Sequence, residues 1–143
     1  MNCVVVDANV LIDVINGRGD YAVILGKAAK VLVPLIVLGE IHAGFSDTRA
    51  DHAKRKAVES FLSIPSVETI TLSEETVGFY AAIRRQLKQA GTPIPQNDVW
   101  IAAQTLEHGA ALCTRDDNFK AVANLRLVPC LTGDGADARH RAR

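Results

Sequence analysis

"MNCVVVDANVLID", residues 1–13, sets a hydrophobic strand directly against an acid. Val4, Val5 and Val6 form an unbroken β-branched run, the pattern of a parallel strand covered on both faces rather than the alternation of a half-exposed one. Asp7 closes the run. Val10, Leu11, Val14 and Ile15 then recur at helical spacing as far as Asn16-Gly17, where a helix should stop. Two readings of Asp7 follow: a helix N-cap, or an acid at the carboxyl end of a parallel strand, where open α/β sheets bind their ligands.

The same alternation continues along the chain. "YAVILGKAAK" (21–30) reads as a short helix, "KVLVP" (30–34) as a strand, and "PLIVLGEIHAGF" (34–45) as a helix with proline at its start, ending at Gly44. A charged helix is expected at "DTRADHAKRKAVESFLS" (47–63), whose apolar stripe is Ala57, Val58, Phe61 and Leu62, followed by the strand "VETITL" (67–72). "EETVGFYAAIRRQLKQA" (74–90) is a long amphipathic helix opened by Ser73 and closed by Gly91, and "GTPIPQND" (91–98) reads as a loop. Helix resumes at Asn97 or Asp98 and runs to Gly109; "AALCT" (110–114) is a buried strand, "RDDNFKAV" (115–122) a short helix and "LRLVPC" (125–130) a final strand. Strands alternating with helices predict one α/β domain over residues 1–131, with helices on both faces of a mostly parallel sheet. Residues 132–143 carry no apolar periodicity and are expected to be disordered.

Composition sets outer bounds. The 143 residues suit one domain, and 48% apolar with 22% charged residues describes an ordinary globular protein rather than a disordered one. Lys plus Arg equal Asp plus Glu at 16 each, so only a local basic patch could serve a polyanion. Cys3, Cys113 and Cys130 are odd in number and form no C-x-x-C, which points to reduced thiols and away from zinc. No basic leader precedes the first apolar run, and "VLVPLIVLGEI" falls well short of the roughly 20 residues that span a bilayer; a cytoplasmic protein is expected, with no membrane partner.

Four acids stand in unusual company: Asp7, Glu40, Asp98 and Asp116, with Asp117 beside the last. Asp7, Asp98 and Asp116 can each be a helix cap or first-turn acid. Glu40 lies among Leu35, Ile36, Val37, Leu38 and Ile41, so a largely buried carboxylate in need of a partner is expected. If Asp7 and Asp116 follow neighbouring parallel strands and Asp98 opens a helix beside them, the acids converge, and their repulsion calls for a divalent cation. Oxygen-only ligation favours Mg²⁺, with Mn²⁺ as the alternative. Asn9, Asn97, Thr114 and Arg115 are placed to hold such carboxylates, or equally to serve as turn and cap residues. Trp100 reads as core, and the histidines as structural or exposed.

"VVVDANVLID", "VLGEIHAG", "PQNDVWIAAQTLEHGAALCTRDDNF" and "LRLV", in that order, resemble the PIN-domain nucleases, and among them the VapC-like toxins of bacterial toxin–antitoxin pairs. The resemblance extends to about Pro129. It implies a three-layer PIN-like fold and a Mg²⁺ site made by Asp7, Glu40, Asp98 and Asp116, with Asn9 and Thr114 in support. Family members often carry an acid immediately before the phenylalanine; here Asn118 precedes Phe119, which leaves Asp117 as an auxiliary. The resemblance further implies metal-dependent hydrolysis of RNA leaving 5′-phosphate and 3′-hydroxyl ends, a cognate antitoxin, and a homodimer. Arg84, Arg85 and Lys88, with Arg115, are the candidate RNA contacts, against the plainer reading of a solvated helix face.

Two other readings stay open on sequence. A haloacid-dehalogenase-like phosphatase would use Asp7 as nucleophile, but Asn9 stands where an acid should protonate the leaving group. A non-catalytic α/β binding module is the second, since fold alone never establishes activity.

Overall fold

The computed structural model describes residues 2–129. Its order is β1 (Cys3–Val6), α1 (Ala8–Ile15), α2 (Tyr21–Gly26), β2 (Lys30–Pro34), α3 (Leu35–Ala43), α4 (Arg49–Leu62), β3 (Val67–Ile70), α5 (Glu74–Ala90), α6 (Gln96–Glu107) and β4 (Ala111–Cys113), then a 3₁₀ turn at Asp117–Ala121. The four strands form one sheet in the order β3-β2-β1-β4, and every pairing is parallel. This is an α/β fold.

β1 owes its continuous valines to its central place. It pairs with β2 through Val4↔Val31 and with β4 through Val5↔Leu112. Successive strand residues point to opposite faces, yet Val4, Val5 and Val6 are all 0% exposed, so both faces of the sheet are covered. By contrast, edge strand β3 leaves Glu68 and Thr69 in solvent, and Glu68 pairs with Lys30 at 3.1 Å.

The strand order places the site. From β1 the chain steps to β2 and β3 on one side, whereas β4 returns to the other side of β1. The topological switch point therefore falls between the carboxyl ends of β1 and β4, where Asp7 and residues 114–116 emerge. Asp7 N–H donates to Cys113 C=O at 3.1 Å, locking the two strand ends together.

Several boundaries differ from the sequence reading. α2 stops at Gly26, with Lys27 as its C-cap, and Lys30 belongs to β2 alone. α6 begins at Gln96, with Pro95 in extended backbone ahead of it, so the loop after Gly91 is shorter than expected. The predicted strand 125–130 reduces to one bridge, Leu112↔Leu127, closed by Leu112 N–H to Arg126 C=O and Val128 N–H to Leu112 C=O. Pro129 has no N–H to extend the ladder. Cys130 and the tail 132–143 lie outside the described residues. Among the described residues no helix is long and apolar enough to cross a membrane.

Candidate active site

Asp7 satisfies both of its readings at once. Its Oδ1 accepts from Ala8 N–H at 2.8 Å, as an N-terminal cap of α1 does, while Oδ2 accepts from the Thr114 hydroxyl at 2.7 Å and from Asn9 Nδ2 at 3.4 Å. The side chain is only 5% exposed. Burial pushes its carboxyl above the ordinary carboxylate range, and the bonds from Thr114 and Ala8 pull it part of the way back.

Thr114 joins the two strand ends chemically. Its hydroxyl gives its proton to Asp7 and accepts the Asp116 N–H at 3.0 Å. Asp116, half-buried, turns Oδ1 to Asn118 N–H at 2.9 Å and so starts the 3₁₀ turn whose Phe119 is sealed in the core. The expected short helix at 115–122 is that turn.

Asp98 is a first-turn acid, the third residue of α6, and buried. Its carboxyl is pushed up to about 7, first by burial and then by the charges of Asp7, Asp116 and Glu40. Two acids from strand-to-helix junctions, Asp7 and Asp116, one from the start of α6, Asp98, and one from the last turn of α3, Glu40, thus act on a single region. Among the described residues, no three His, Cys, Asp or Glu side chains are drawn into a preformed metal cluster.

Glu40 corrects an expectation. It is exposed rather than buried, because α3 buries only Val37 and Ile41 and turns its remaining residues outward or to partial cover. Its Oε2 accepts from Asn97 Nδ2 at 3.3 Å, which ties α3 to the residue preceding Asp98. Asp117 is exposed and paired with Lys120 at 3.1 Å, one residue beyond the Asp7–Thr114–Asp116 linkage.

The remaining candidates lie at two places. Arg84, Arg85 and Lys88 line a groove of about 480 Å³ with Leu87, Pro93, Ile94 and Val99, the last adjacent in sequence to Asp98. Trp100 is half-buried and stacks on Tyr80 with ring centres 3.7 Å apart, so it is less enclosed than a core residue; Arg84 bonds the Tyr80 hydroxyl at 3.1 Å. Arg115 is held elsewhere: its N–H donates to Asn9 Oδ1 at 3.1 Å and its Nε meets Asp13 Oδ2 at 2.7 Å. Asp13, 7% exposed, is an acid that the sequence reading does not single out. A signal for it exists, since Asn9 and Asp13 are one helical turn apart and share a face.

Acids stand at the switch point of a parallel sheet, and the Asp98 carboxyl is raised first by burial and then by the charges of Asp7, Asp116 and Glu40, a set of oxygen donors of the kind a hard divalent cation takes. The PIN domain family matches residues 4–125, and the chain belongs to that family. It is 29% identical over 126 residues to Ribonuclease VapC2 of Rickettsia felis, covering 85% of this chain and 92% of the relative. To Ribonuclease VapC5 of Mycobacterium tuberculosis it is 30% identical over 121 residues, covering 82% and 86%. The structure of VapBC2 from Rickettsia felis bound to a DNA fragment from their promoter superposes with a TM-score of 0.77 at 27% identity, covering 88% of this chain and 97% of the other. DNA-bound VapBC from Salmonella typhimurium gives a TM-score of 0.78 at 22% identity over 90% and 98%, a likeness of fold.

Proposed function

We propose that this chain is a divalent-metal-dependent endoribonuclease, the toxin of a toxin–antitoxin pair, with Mg²⁺ as its ion and Mn²⁺ as the alternative. The reading is supported above all by the acids Asp7 and Asp116 at the switch-point strand ends, whose charges, with that of Glu40, bear on the buried carboxyl of Asp98. An all-carboxylate donor set fits Mg²⁺ or Mn²⁺ and not a soft metal. Such an ion, when bound, supplies an activated water and charge stabilisation at a phosphodiester.

Each protein group then has a task. Asp7, Asp98 and Asp116 would hold the ion, with Glu40, on the exposed rim with Asn97, as the fourth acid that would ligate it or align its water. Thr114 and Asn9 keep the Asp7 carboxylate turned toward the site. Arg84, Arg85 and Lys88 line a groove with Val99, the residue after Asp98 in sequence, and present cations to the RNA backbone along it. Asp117, engaged with Lys120, is an auxiliary. The relatives named as ribonucleases and the VapBC complexes support an RNA substrate and a cognate antitoxin as partners, with a homodimer part of the same reading.

The test uses partner-free protein and an end-labelled mixed RNA pool, with Mg²⁺ or EDTA. Products bearing 5′-phosphate ends only with metal support the reading. A phosphatase would instead release inorganic phosphate from a small phosphoester, and a binding module would retain RNA uncut.

A further inference from the structure

Two residues outside the four acids have a geometry that the nuclease reading leaves without a task. Asp13, nearly enclosed on α1, and Arg115, in the segment between β4 and the 3₁₀ turn, meet at 2.7 Å. An enclosed carboxylate is costly unless paired, so this ion pair differs from the exposed Lys120–Asp117 pair, which contributes little to stability. Asn9, one turn before Asp13 on the same helix face, accepts the Arg115 backbone N–H at 3.1 Å. The start of α1 therefore grips two successive residues at three points: Asp7 takes the Thr114 hydroxyl, Asn9 the Arg115 backbone, Asp13 the Arg115 side chain. Asp116 follows directly, its own N–H on Thr114.

We propose that Asp13 and Arg115 are positioning residues that clamp the segment carrying Asp116 against α1 and so preset the separation of Asp7 and Asp116 for a divalent cation. This rests on the metal-centre reading above. Without the clamp the two acids are held near each other by the β1–β4 pairing, the Asn9–Arg115 backbone bond and Thr114, and no side-chain ion pair then fixes the segment against their repulsion. Arg115, though partly exposed, is thereby engaged by Asp13, and its role differs from that of the RNA contacts on α5.

Electrostatics and positioning predict opposite signs for one substitution. If Arg115 acts only as a nearby positive charge, Arg115→Gln makes the site more negative and tightens Mg²⁺. If it clamps, the same substitution loosens Mg²⁺ by about 10- to 100-fold, the usual effect of losing a group that orients metal ligands. Asp13→Asn should loosen Mg²⁺ similarly, and the double variant should match either single, because both remove one shared ion pair. Arg115→Lys keeps the charge and should fall between wild type and Arg115→Gln.

The experiment titrates Mg²⁺ into the full chain and follows Tm, which rises with ligand bound to the folded state; KM for RNA is read at saturating metal. The expected result is a shift of the Mg²⁺ midpoint in all four variants, Tm in EDTA within a few degrees of wild type for Arg115→Lys, which keeps the charge beside Asp13, and unchanged KM. Tighter or unchanged Mg²⁺ binding by Arg115→Gln overturns the clamp, as does a change confined to KM and its salt dependence, which would make Arg115 an RNA contact. Collapse of Tm in EDTA for Arg115→Lys as well as the others would make the pair a fold element only and equally overturn it. A wild-type protein whose Tm ignores Mg²⁺ and Mn²⁺ would instead overturn the metal centre itself.

Discussion

Thr114 and Asp7, 107 positions apart in sequence, are joined by a 2.7 Å hydrogen bond that links the carboxyl ends of β4 and β1. A hydroxyl donating to a buried carboxylate contributes about 1.5–3 kcal/mol. Because this bond also holds the Asp7 carboxyl down against the effect of burial, Thr114→Val should raise it further. The acid limb of the cleavage–pH profile is expected to move to higher pH in that variant, with lower activity throughout. An unmoved limb would show that Asp7 does not depend on this bond.

Asp98 yields a stability prediction with a definite sign. In the metal-free folded chain its carboxyl sits at about 7, above the ordinary 3.8. Between those values the folded state holds a proton that the unfolded chain has lost, so this group's contribution to stability falls as pH rises from the lower value to the upper. Asp98→Asn removes the penalty. In EDTA its Tm should exceed that of wild type by a margin that grows from about pH 4 to pH 7 and then levels off. Saturating Mg²⁺ should reverse the ranking, since only wild type gains from the ion. A margin independent of pH would contradict the electrostatic account of Asp98.

Glu40, being exposed, separates function from folding. Glu40→Gln should leave Tm nearly unchanged, as surface substitutions do, while raising the Mg²⁺ needed for cleavage. Wild-type metal dependence in this variant would remove Glu40 from the site.

The α5 cations are tested by salt. Replacing Arg84, Arg85 and Lys88 with Gln should raise KM for RNA with kcat little changed. It should also flatten the log–log salt dependence by about 0.7 for each phosphate of a single strand that the protein no longer neutralises. An unchanged slope would return these residues to the plainer role of a solvated helix face.

What is legible in the sequence, and what is not, follows from the range of the interactions involved. Val4–Val6 mark a central parallel strand because full burial on two faces forces every residue to be apolar. Asp7 and Asp116 are legible because strand ends place acids predictably. Glu40 reads as buried because the apolar residues around it suggest an enclosed helix, whereas α3 turns only Val37 and Ile41 fully inward. Asp13 carries only a weak signal in the sequence, its place one helical turn after Asn9, because its partner Arg115 is distant along the chain and the β1–β4 pairing brings them together. The strand expected at 125–130 gives way to Pro129 and to half-exposed neighbours, features whose weight depends on what lies beside them.

The most direct measurement of the metal-centred mechanism is cleavage of end-labelled RNA by wild type and Asp98→Asn at saturating Mg²⁺, with Tm recorded on the same samples. Wild type should cut, and EDTA should abolish the cutting. Asp98→Asn should not cut, although it is folded and, without metal, the more stable of the two. Cleavage at the wild-type rate by a folded Asp98→Asn protein would contradict the central role of that carboxyl.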